Sequence, residues 1–258
     1  MTGSRVREPG VAVVVPCYNE AGRLLVDRFR AGLRELPDVR FVFVDDGSTD
    51  ETLGLLRSLQ ATAAARVDVI ALPRNAGKAA AVRAGMLHAL DLSPRYVGYW
   101  DADLSTPLNA IAEFTALLDA RPDLEMVFGA RVQLLGRTVR RNEARHYLGR
   151  VFATAVSLVL GLKIYDSQCG AKLFRAAPEL RELFREPFLT QWVFDVEILA
   201  RLIRARRGTG RPQPEDIVYE YPLQTWVDVP GSKVRPWDFV RGVGGLIRIK
   251  RHYAVNRP

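Results

Sequence analysis

Five short apolar runs that alternate with segments of helical character constrain the fold of this 258-residue chain more than any other feature. The apolar runs cover residues 11–15, 41–44, 67–72, 96–100 and 124–128. Helices are predicted over residues 20–36, 49–64, 77–90 and 107–120. Nearly continuous apolar strands, each followed by a helix, are typical of a parallel sheet that is covered on both faces. The sequence therefore predicts an α/β fold with a mostly parallel central sheet.

Polar residues follow these runs at the points where the predicted strands end. They are Asn19, Asp45 with Asp46, Asn75, and the pair Asp101 and Asp103. In open α/β sheets, ligands bind outside the edge that is formed by the carboxyl ends of the strands. We therefore expect these side chains to share one site.

Asp101 and Asp103 are spaced so that both side chains lie on the same side of an extended chain. Like charges held this close repel each other unless a cation or a proton lies between them. Oxygen ligands of this kind suit Mg²⁺ or Mn²⁺, which commonly share their coordination with the phosphates of a substrate. Taken alone, such a pair is more often a solvated turn or a helix cap, so the metal prediction depends on the rest of the chain.

The composition limits the classes of partner. The net charge of +8 favours anionic partners, namely phosphorylated substrates, an anionic membrane surface or nucleic acid. No zinc-finger, basic-zipper or RNA-binding signature is present, so no nucleic-acid partner is expected. Two cysteines, Cys17 and Cys169, and a polar N-terminal segment without a secretory signal indicate a cytoplasmic location.

The second half of the chain differs in character from the first. Residues 131–150 are rich in arginine, and residues 151–164 form an apolar stretch that is too short to cross a bilayer. Strands are predicted over residues 171–174 and 217–221, and a helix over residues 193–206. The basic, amphipathic segment 237–253 and residues 151–164 either contact the cytoplasmic face of a membrane peripherally or pack against the sheet.

Seven motifs in a fixed order carry a resemblance to a known family. Three precede the aspartate pair, at residues 13–20, 44–50 and 75–78. With that pair they resemble the inverting GT-A glycosyltransferases of family 2. Four later motifs, at residues 129–131, 166–174, 192–197 and 226–233, resemble more narrowly the dolichyl-phosphate glucose and mannose synthases and their bacterial polyprenyl-phosphate relatives. The resemblance covers roughly residues 11–250 and implies a GT-A fold, with a C-terminal helical part that faces the acceptor or a membrane.

The resemblance also implies roles for individual residues. Asp101 and Asp103 are expected to hold a Mg²⁺ or Mn²⁺ ion on the donor diphosphate, although Leu104, Ser105 and Thr106 follow them and leave a third ligand open. The residues expected to bind the donor are Pro16, Tyr18, Asn19, Glu20, Asp45, Asp46, Lys78, Asp101, Ala102, Asp103, Ser232 and Lys233.

Three residues are expected to act on the acceptor side. Arg131 is placed to clamp the acceptor phosphate or the donor diphosphate. Asp166 and Asp195 are both candidates for the carboxylate that orients or deprotonates the acceptor, and the sequence does not separate them. A phosphate acceptor needs less help than an alcohol, because its second pKa is near 6.

The resemblance implies that a hexose passes from UDP-glucose, or from GDP-mannose, to a polyprenyl phosphate of the dolichyl type. Residues 1–258 are expected to form one domain, with a donor half over residues 8–130 and an acceptor half over residues 131–258. The main alternative is the same fold acting on a soluble acceptor, such as a specialised metabolite or a sugar phosphate. A sugar-phosphate nucleotidyltransferase is disfavoured because Pro-Cys-Tyr-Asn-Glu follows the first strand, where those enzymes have a glycine-rich signature. A catalytically silent binding module is disfavoured by the intact aspartate pair.

Overall fold

The computed structural model describes residues 9–140, 143–229 and 236–254. The strands are β1 Val11–Cys17, β2 Val39–Asp45, β3 Val67–Ala71, β4 Tyr96–Trp100, β5 Met126–Ala130, β6 Thr138–Arg140, β7 Ala171–Arg175, β8 Val218–Pro222 and β9 Thr225–Val227. The helices are α1 Val26–Glu35, α2 Thr52–Thr62, α3 Lys78–Asp91, α4 Ala110–Ala120, α5 Glu143–Leu160, α6 Pro178–Arg185, α7 Phe194–Arg206, α8 Pro214–Ile217 and α9 Pro236–Tyr253.

The central sheet has seven strands in the order β3-β2-β1-β4-β7-β5-β8. All neighbours in it are parallel except β7, which is antiparallel to both β4 and β5. This confirms the predicted α/β fold and the mostly parallel sheet. The chain leaves β1 toward β2 on one side, whereas β4 lies on the other side of β1. Such a reversal of strand order opens a crevice at the carboxyl ends of the two strands.

The sheet is covered on both faces by apolar side chains. On one face, Val14, Val42 and Val44 pack against α3. On the other face, Phe41 and Phe43 make edge contacts with Phe29 of α1. The alternation of the two sets along β1 and β2 follows from the two-residue period of a strand. Because both faces are buried, these strands are continuously apolar in sequence.

The predicted elements agree with the structure except at helix starts. Each predicted strand matches an observed one to within two residues at either end. The helix predicted from residue 20 begins only at Val26, because residues 20–25 form a turn in which the Glu20 carbonyl accepts the Arg23 and Leu24 N–H groups. The helix predicted from residue 107 begins at Ala110. Within the described ranges, no helix combines the length and the hydropathy needed to cross a membrane.

Candidate active site

A cleft of about 570 Å³ lies over the carboxyl ends of β1 and β4. It brings together eleven of the residues that the sequence singles out, namely Pro16, Tyr18, Glu20, Asp46, Lys78, Asp101, Ala102, Asp103, Arg131, Asp166 and Asp195. Asn19 and Asp45 are not among the residues that line it. Ser232 and Lys233 lie outside the described residues.

Asn19 and Asp45 organise the loops behind the cleft. Asn19 has a φ of 49°, a left-handed conformation that asparagine tolerates. Its backbone N–H donates to the Ser48 hydroxyl at 2.9 Å, and its side-chain oxygen accepts the Thr49 N–H at 2.8 Å. Asp45 is buried and accepts the Ser48 N–H at 3.2 Å. These bonds join the loop after β1 to the loop after β2.

Asp46 fixes the loop that leads into α3. Its carboxylate accepts hydrogen bonds from the Asn75 amide at 3.1 Å and from the Ala76 and Gly77 N–H groups, both at 2.8 Å. Burial raises the pKa of Asp46, although the two backbone N–H groups act in the opposite direction. Gly77, at φ 92°, precedes the first turn of α3 and directs Lys78 into the cleft.

The aspartate pair forms the centre of the cleft. Asp101 makes an ion pair with Lys78, and Asp103 accepts the Ser105 N–H at 3.0 Å. Burial raises the pKa of Asp103, and the nearby charge of Asp101 raises it further. Gly170 makes room for this arrangement, because a Cβ atom there would lie 1.9 Å from an oxygen of the Asp101 carboxylate.

These residues fit a divalent cation. Two carboxylates share the site, and burial, followed by the charge of Asp101, raises the pKa of Asp103, so a cation beside them would stabilise the ionised pair. Leu104, at φ 52°, turns its side chain onto the core, and Ser105 contributes its backbone N–H to Asp103. Among the described residues no third acidic, histidine or cysteine side chain completes a metal cluster. A cation held here would therefore take its remaining ligands from elsewhere, as Mg²⁺ and Mn²⁺ do from phosphates.

Arg131 and Asp166 form a rigid pair on the opposite wall. The guanidinium donates to both carboxylate oxygens, at 2.6 and 2.7 Å, and the Arg131 backbone N–H adds a third bond at 3.0 Å. Burial opposes the charge of Arg131, but Asp166 more than offsets this and raises the pKa of the guanidinium. Trp226 lies 5.4 Å from the guanidinium. Glu220 accepts the N–H groups of Tyr165 and Asp166, which fixes the Asp166 loop.

Asp195 lies in the first turn of α7, at the floor of the cleft. One of its oxygens, Oδ1, accepts hydrogen bonds from the Tyr99 hydroxyl and from the Lys172 ammonium, both at 2.5 Å. Lys172 is fully buried and also donates to the Cys169 carbonyl at 2.6 Å.

Lys78 is affected by both sets of carboxylates. Burial by itself would lower the pKa of Lys78, but the carboxylates of Asp101 and Asp195 raise it by more. The pKa of Lys78 therefore lies above its ordinary value.

Several cleft residues were not among those individually predicted to bind the donor, the metal or the acceptor. Arg23 pairs with Glu20 and acts electrostatically on the aspartate pair; its spacing of three residues from Glu20 is the only sequence signal for it. Arg150, Phe152 and Trp192 form a wall contributed by α5 and the segment before α7, in which the Phe152 and Trp192 rings meet edge to face at 5.5 Å. Trp192 belongs to a motif that the sequence singled out, whereas Phe152 lies in an apolar run that reads equally well as core.

Comparison with known proteins defines the family. The family model described as Glycosyl transferase family 2 matches residues 12–180. The chain belongs to glycosyl transferase family 2. This glycosyltransferase is 32% identical over 269 residues to the dolichyl-phosphate beta-glucosyltransferase of Saccharomyces cerevisiae, an alignment that covers 95% of this chain and 75% of that protein.

Solved structures show the same fold. A Mycobacterium tuberculosis glucosyl-3-phosphoglycerate synthase, in complex with Mn²⁺, UDP and its glucosylated product, aligns with a TM-score of 0.62 at 17% identity over 97% of this chain and 81% of that one. A Pyrobaculum calidifontis mannosyltransferase, in complex with GDP-mannose and Mn²⁺, aligns with a TM-score of 0.57 at 21% identity. That alignment covers 91% of this chain and 61% of that chain. The glycosyltransferase therefore has the GT-A fold.

The family match and the wider relationship cover different parts of the site. The matched segment of this glycosyltransferase includes the loops after β1, β2 and β4, with the aspartate pair, Lys78, Arg131 and Asp166. Asp195 and Trp226 come after the matched segment and fall within the longer alignment to the yeast relative.

Proposed function

We propose that the protein is an inverting, metal-dependent glycosyltransferase that moves glucose from UDP-glucose to a polyprenyl phosphate. The yeast relative is named as a dolichyl-phosphate beta-glucosyltransferase, and two structures of the same fold contain UDP or GDP-mannose together with Mn²⁺. The observation that carries the choice of acceptor is that Asp166 and Asp195 each bind a cationic side chain.

On the donor side, the loops after β1 and β2 receive the nucleoside. Pro16 and Tyr18 wall this part of the cleft, and Asp46 lies beside them with its carboxylate held by backbone N–H groups. Asp101 and Asp103 would hold the metal ion, which would supply positive charge to the leaving diphosphate. Lys78, at the start of α3, contributes a second positive charge to the same diphosphate.

On the acceptor side, the ion pairs decide which nucleophile the cleft can use. An alcohol acceptor has to lose a proton to a general base. A carboxylate is a better general base when it is not already paired with a cation. Asp166 is bound at both oxygens by Arg131, and Asp195 is bound by Lys172 and Tyr99. A phosphomonoester is already largely ionised at neutral pH and needs only to be oriented. Arg131 is the residue that we assign to this phosphate, and Asp166 holds Arg131 in place.

This assignment divides the chain into a donor half over residues 8–130 and an acceptor half over residues 131–258 of one domain. The acceptor half contributes the wall with Phe152 and Trp192, two aromatic side chains in edge-to-face contact. An apolar wall next to Arg131 suits an acceptor that carries both a phosphate and a hydrocarbon chain.

We further propose that the exposed face of α5 and α9 contacts an anionic membrane surface, and we call it the apolar–basic face. Its large apolar side chains are exposed, and they are Tyr147, Val151, Leu158, Val243 and Ile247. They are spaced by four and seven residues on α5 and by four residues on α9, so on each helix they lie along one stripe. Basic residues are exposed beside them on α9, namely Arg241, Arg248, Lys250 and Arg251. The two helices pack against each other beside the aromatic wall, so a lipid acceptor bound at this face would be within reach of the cleft.

Radiolabelled UDP-glucose incubated with short polyprenyl phosphates and Mg²⁺ or Mn²⁺ tests the proposal. We expect label to enter the lipid fraction with release of UDP, and Asp103→Asn to lose this transfer. GDP-mannose and other UDP-sugars in the same screen decide the donor. Transfer to a soluble alcohol or phosphate, with none to any polyprenyl phosphate, would refute the lipid acceptor. Transfer at the wild-type rate by Asp103→Asn would refute the metal site.

A further inference from the structure

Lys172 is a fully buried lysine that lies within the motif at residues 166–174 but has no role in the proposed donor and acceptor sites. It is the second residue of β7, and the antiparallel register places it directly opposite Tyr99 of β4. Both side chains therefore project from the same face of the sheet, toward the start of α7. Removing an ammonium group from water is costly unless it is paired and hydrogen-bonded, and here the pairing partner is Asp195.

The contacts of Lys172 hold its ammonium group in one position. It donates to Oδ1 of Asp195 at 2.5 Å and to the Cys169 carbonyl at 2.6 Å. The rings of Tyr99 and Phe128 lie 5.4 and 5.0 Å from it. The Tyr99 hydroxyl reaches the same carboxylate oxygen as the ammonium. Two donors thus approach Oδ1 of Asp195 from the sheet side.

We propose that Lys172, assisted by Tyr99, is a positioning residue that acts through Asp195. By holding Oδ1 from the sheet, it presents the second oxygen of Asp195 to the cleft as a fixed hydrogen-bond acceptor. It also cancels the charge of Asp195. A carboxylate at the cleft floor would otherwise repel the acceptor phosphate, because like charges a few ångströms apart cost free energy at low dielectric.

The ion pair between Lys172 and Asp195 bears on function because it lies at the cleft, and not because the fold requires it for stability. Replacing a buried ion pair by apolar side chains of similar volume is often neutral or stabilising, so a fold does not need such a pair. The same helix contains a second buried pair that offers a control. Arg206, at the far end of α7, is fully buried and binds Glu125 and Glu179, at 2.6 and 2.8 Å, away from the cleft.

The experiment compares Lys172→Met with Arg206→Met, each of which removes the cation of a buried ion pair. Lys172 lies on β7 and pairs with Asp195 of α7, whereas Arg206 lies on α7 itself. We measure kcat and KM with UDP-glucose, and the affinity for UDP with Mn²⁺ by calorimetry. Lys172→Met is expected to lower kcat about 10²-fold, the effect of a misplacement of about 1 Å, while its UDP affinity stays within about threefold of wild type. Arg206→Met is expected to lower the melting temperature and leave kcat unchanged.

A double-mutant test separates positioning from support of the fold. Since Lys172 acts through Asp195, Lys172→Met added to Asp195→Asn is expected to leave the kcat of Asp195→Asn unchanged. The double variant has lost both charges, so it also serves if Lys172→Met alone does not fold. Tyr99→Phe is expected to lower kcat by a smaller factor, because the ammonium still holds Oδ1.

Three outcomes would overturn the inference: wild-type kcat in Lys172→Met, a parallel loss of kcat and UDP affinity matched by Arg206→Met, or a further loss of kcat in the double variant. The inference rests on the proposed function, because the rate that is measured is the transfer of glucose to polyprenyl phosphate. If the wild-type protein transfers nothing to polyprenyl phosphate, that proposal fails by itself. The same variants are then compared by UDP release from UDP-glucose with water as the acceptor.

Discussion

Replacement of Gly170 by alanine tests whether the shape of the cleft holds the aspartate pair in place. A Cβ atom at this position would lie 1.9 Å from one Asp101 oxygen and 2.1 Å from its carboxylate carbon. Such contacts are not tolerated below about 3 Å, so the carboxylate has to move by about 1 Å or more. The backbone of Gly170 needs no special conformation, and the effect is therefore one of space alone.

The expected consequence follows from the position of Asp101. A shift of about 1 Å in a positioned group costs about 10²-fold in rate, which corresponds to about 2.7 kcal/mol of transition-state stabilisation. We expect kcat/KM of Gly170→Ala to fall by this factor. We also expect its Mn²⁺ affinity, followed by electron paramagnetic resonance in the presence of UDP, to fall at least tenfold. The overall fold should persist, because Gly170 lies at the cleft surface.

Gly54→Ala is the matched control, because its Cβ would meet only the Glu51 carboxylate, at an ordinary contact distance of 3.4 Å. It should retain kcat/KM and Mn²⁺ affinity within about twofold. A Gly170→Ala protein that is folded, binds Mn²⁺ as tightly as wild type and turns over at the wild-type rate would show that Asp101 need not lie where the structure places it.

Further predictions concern charge, anchoring and the membrane. Because the pKa of Asp103 is raised in the folded protein, ionisation of Asp103 lowers the free energy of unfolding as the pH rises above the ordinary carboxyl range, and this cost is absent below that range. At pH 7 without metal, Asp103→Asn should therefore melt at a higher temperature than wild type. In a thermal-shift assay, Mn²⁺ should not raise the melting temperature of this variant. Tyr253, whose pKa burial and Glu197 raise to about 12, should stay protonated, and Tyr253→Phe should lower the free energy of unfolding in urea by about 2 kcal/mol without changing kcat per folded molecule. Val243→Glu with Ile247→Glu should reduce co-sedimentation with phosphatidylserine vesicles at least tenfold, whereas equal binding by this variant and wild type would argue against the apolar–basic face.

The sequence was most informative where a strand ends. Periodicity and β-branched runs predicted each strand of the first half to within two residues, and the aspartate pair was predicted to lie at the carboxyl end of β4. Such predictions depend only on local pattern and on the geometry of parallel sheets. The antiparallel direction of β7 could not be read in this way, because a five-residue segment does not encode which neighbours it will pair with.

The sequence was least informative about partners of charged residues. From the sequence, Asp166 and Asp195 were equivalent candidates. Their contacts distinguish them, because Arg131 binds both oxygens of Asp166 whereas Lys172 binds a single oxygen of Asp195. Those pairs join residues 23 and 35 positions apart, beyond the reach of any local rule. Burial of Lys172 was equally unpredictable, because lysine is among the residues least often buried.

The placement of β7 makes the two halves of the chain inseparable. This strand comes from the half that we propose binds the acceptor, yet it is inserted between β4 and β5 of the proposed donor half, inside the central sheet. A fragment that ends near residue 130 would retain the aspartate pair but would lack the strand that joins β4 to β5. Exchange of acceptor halves between relatives should therefore succeed only when β7 stays with the sheet it completes, and split versions of the protein should regain activity only on mixing.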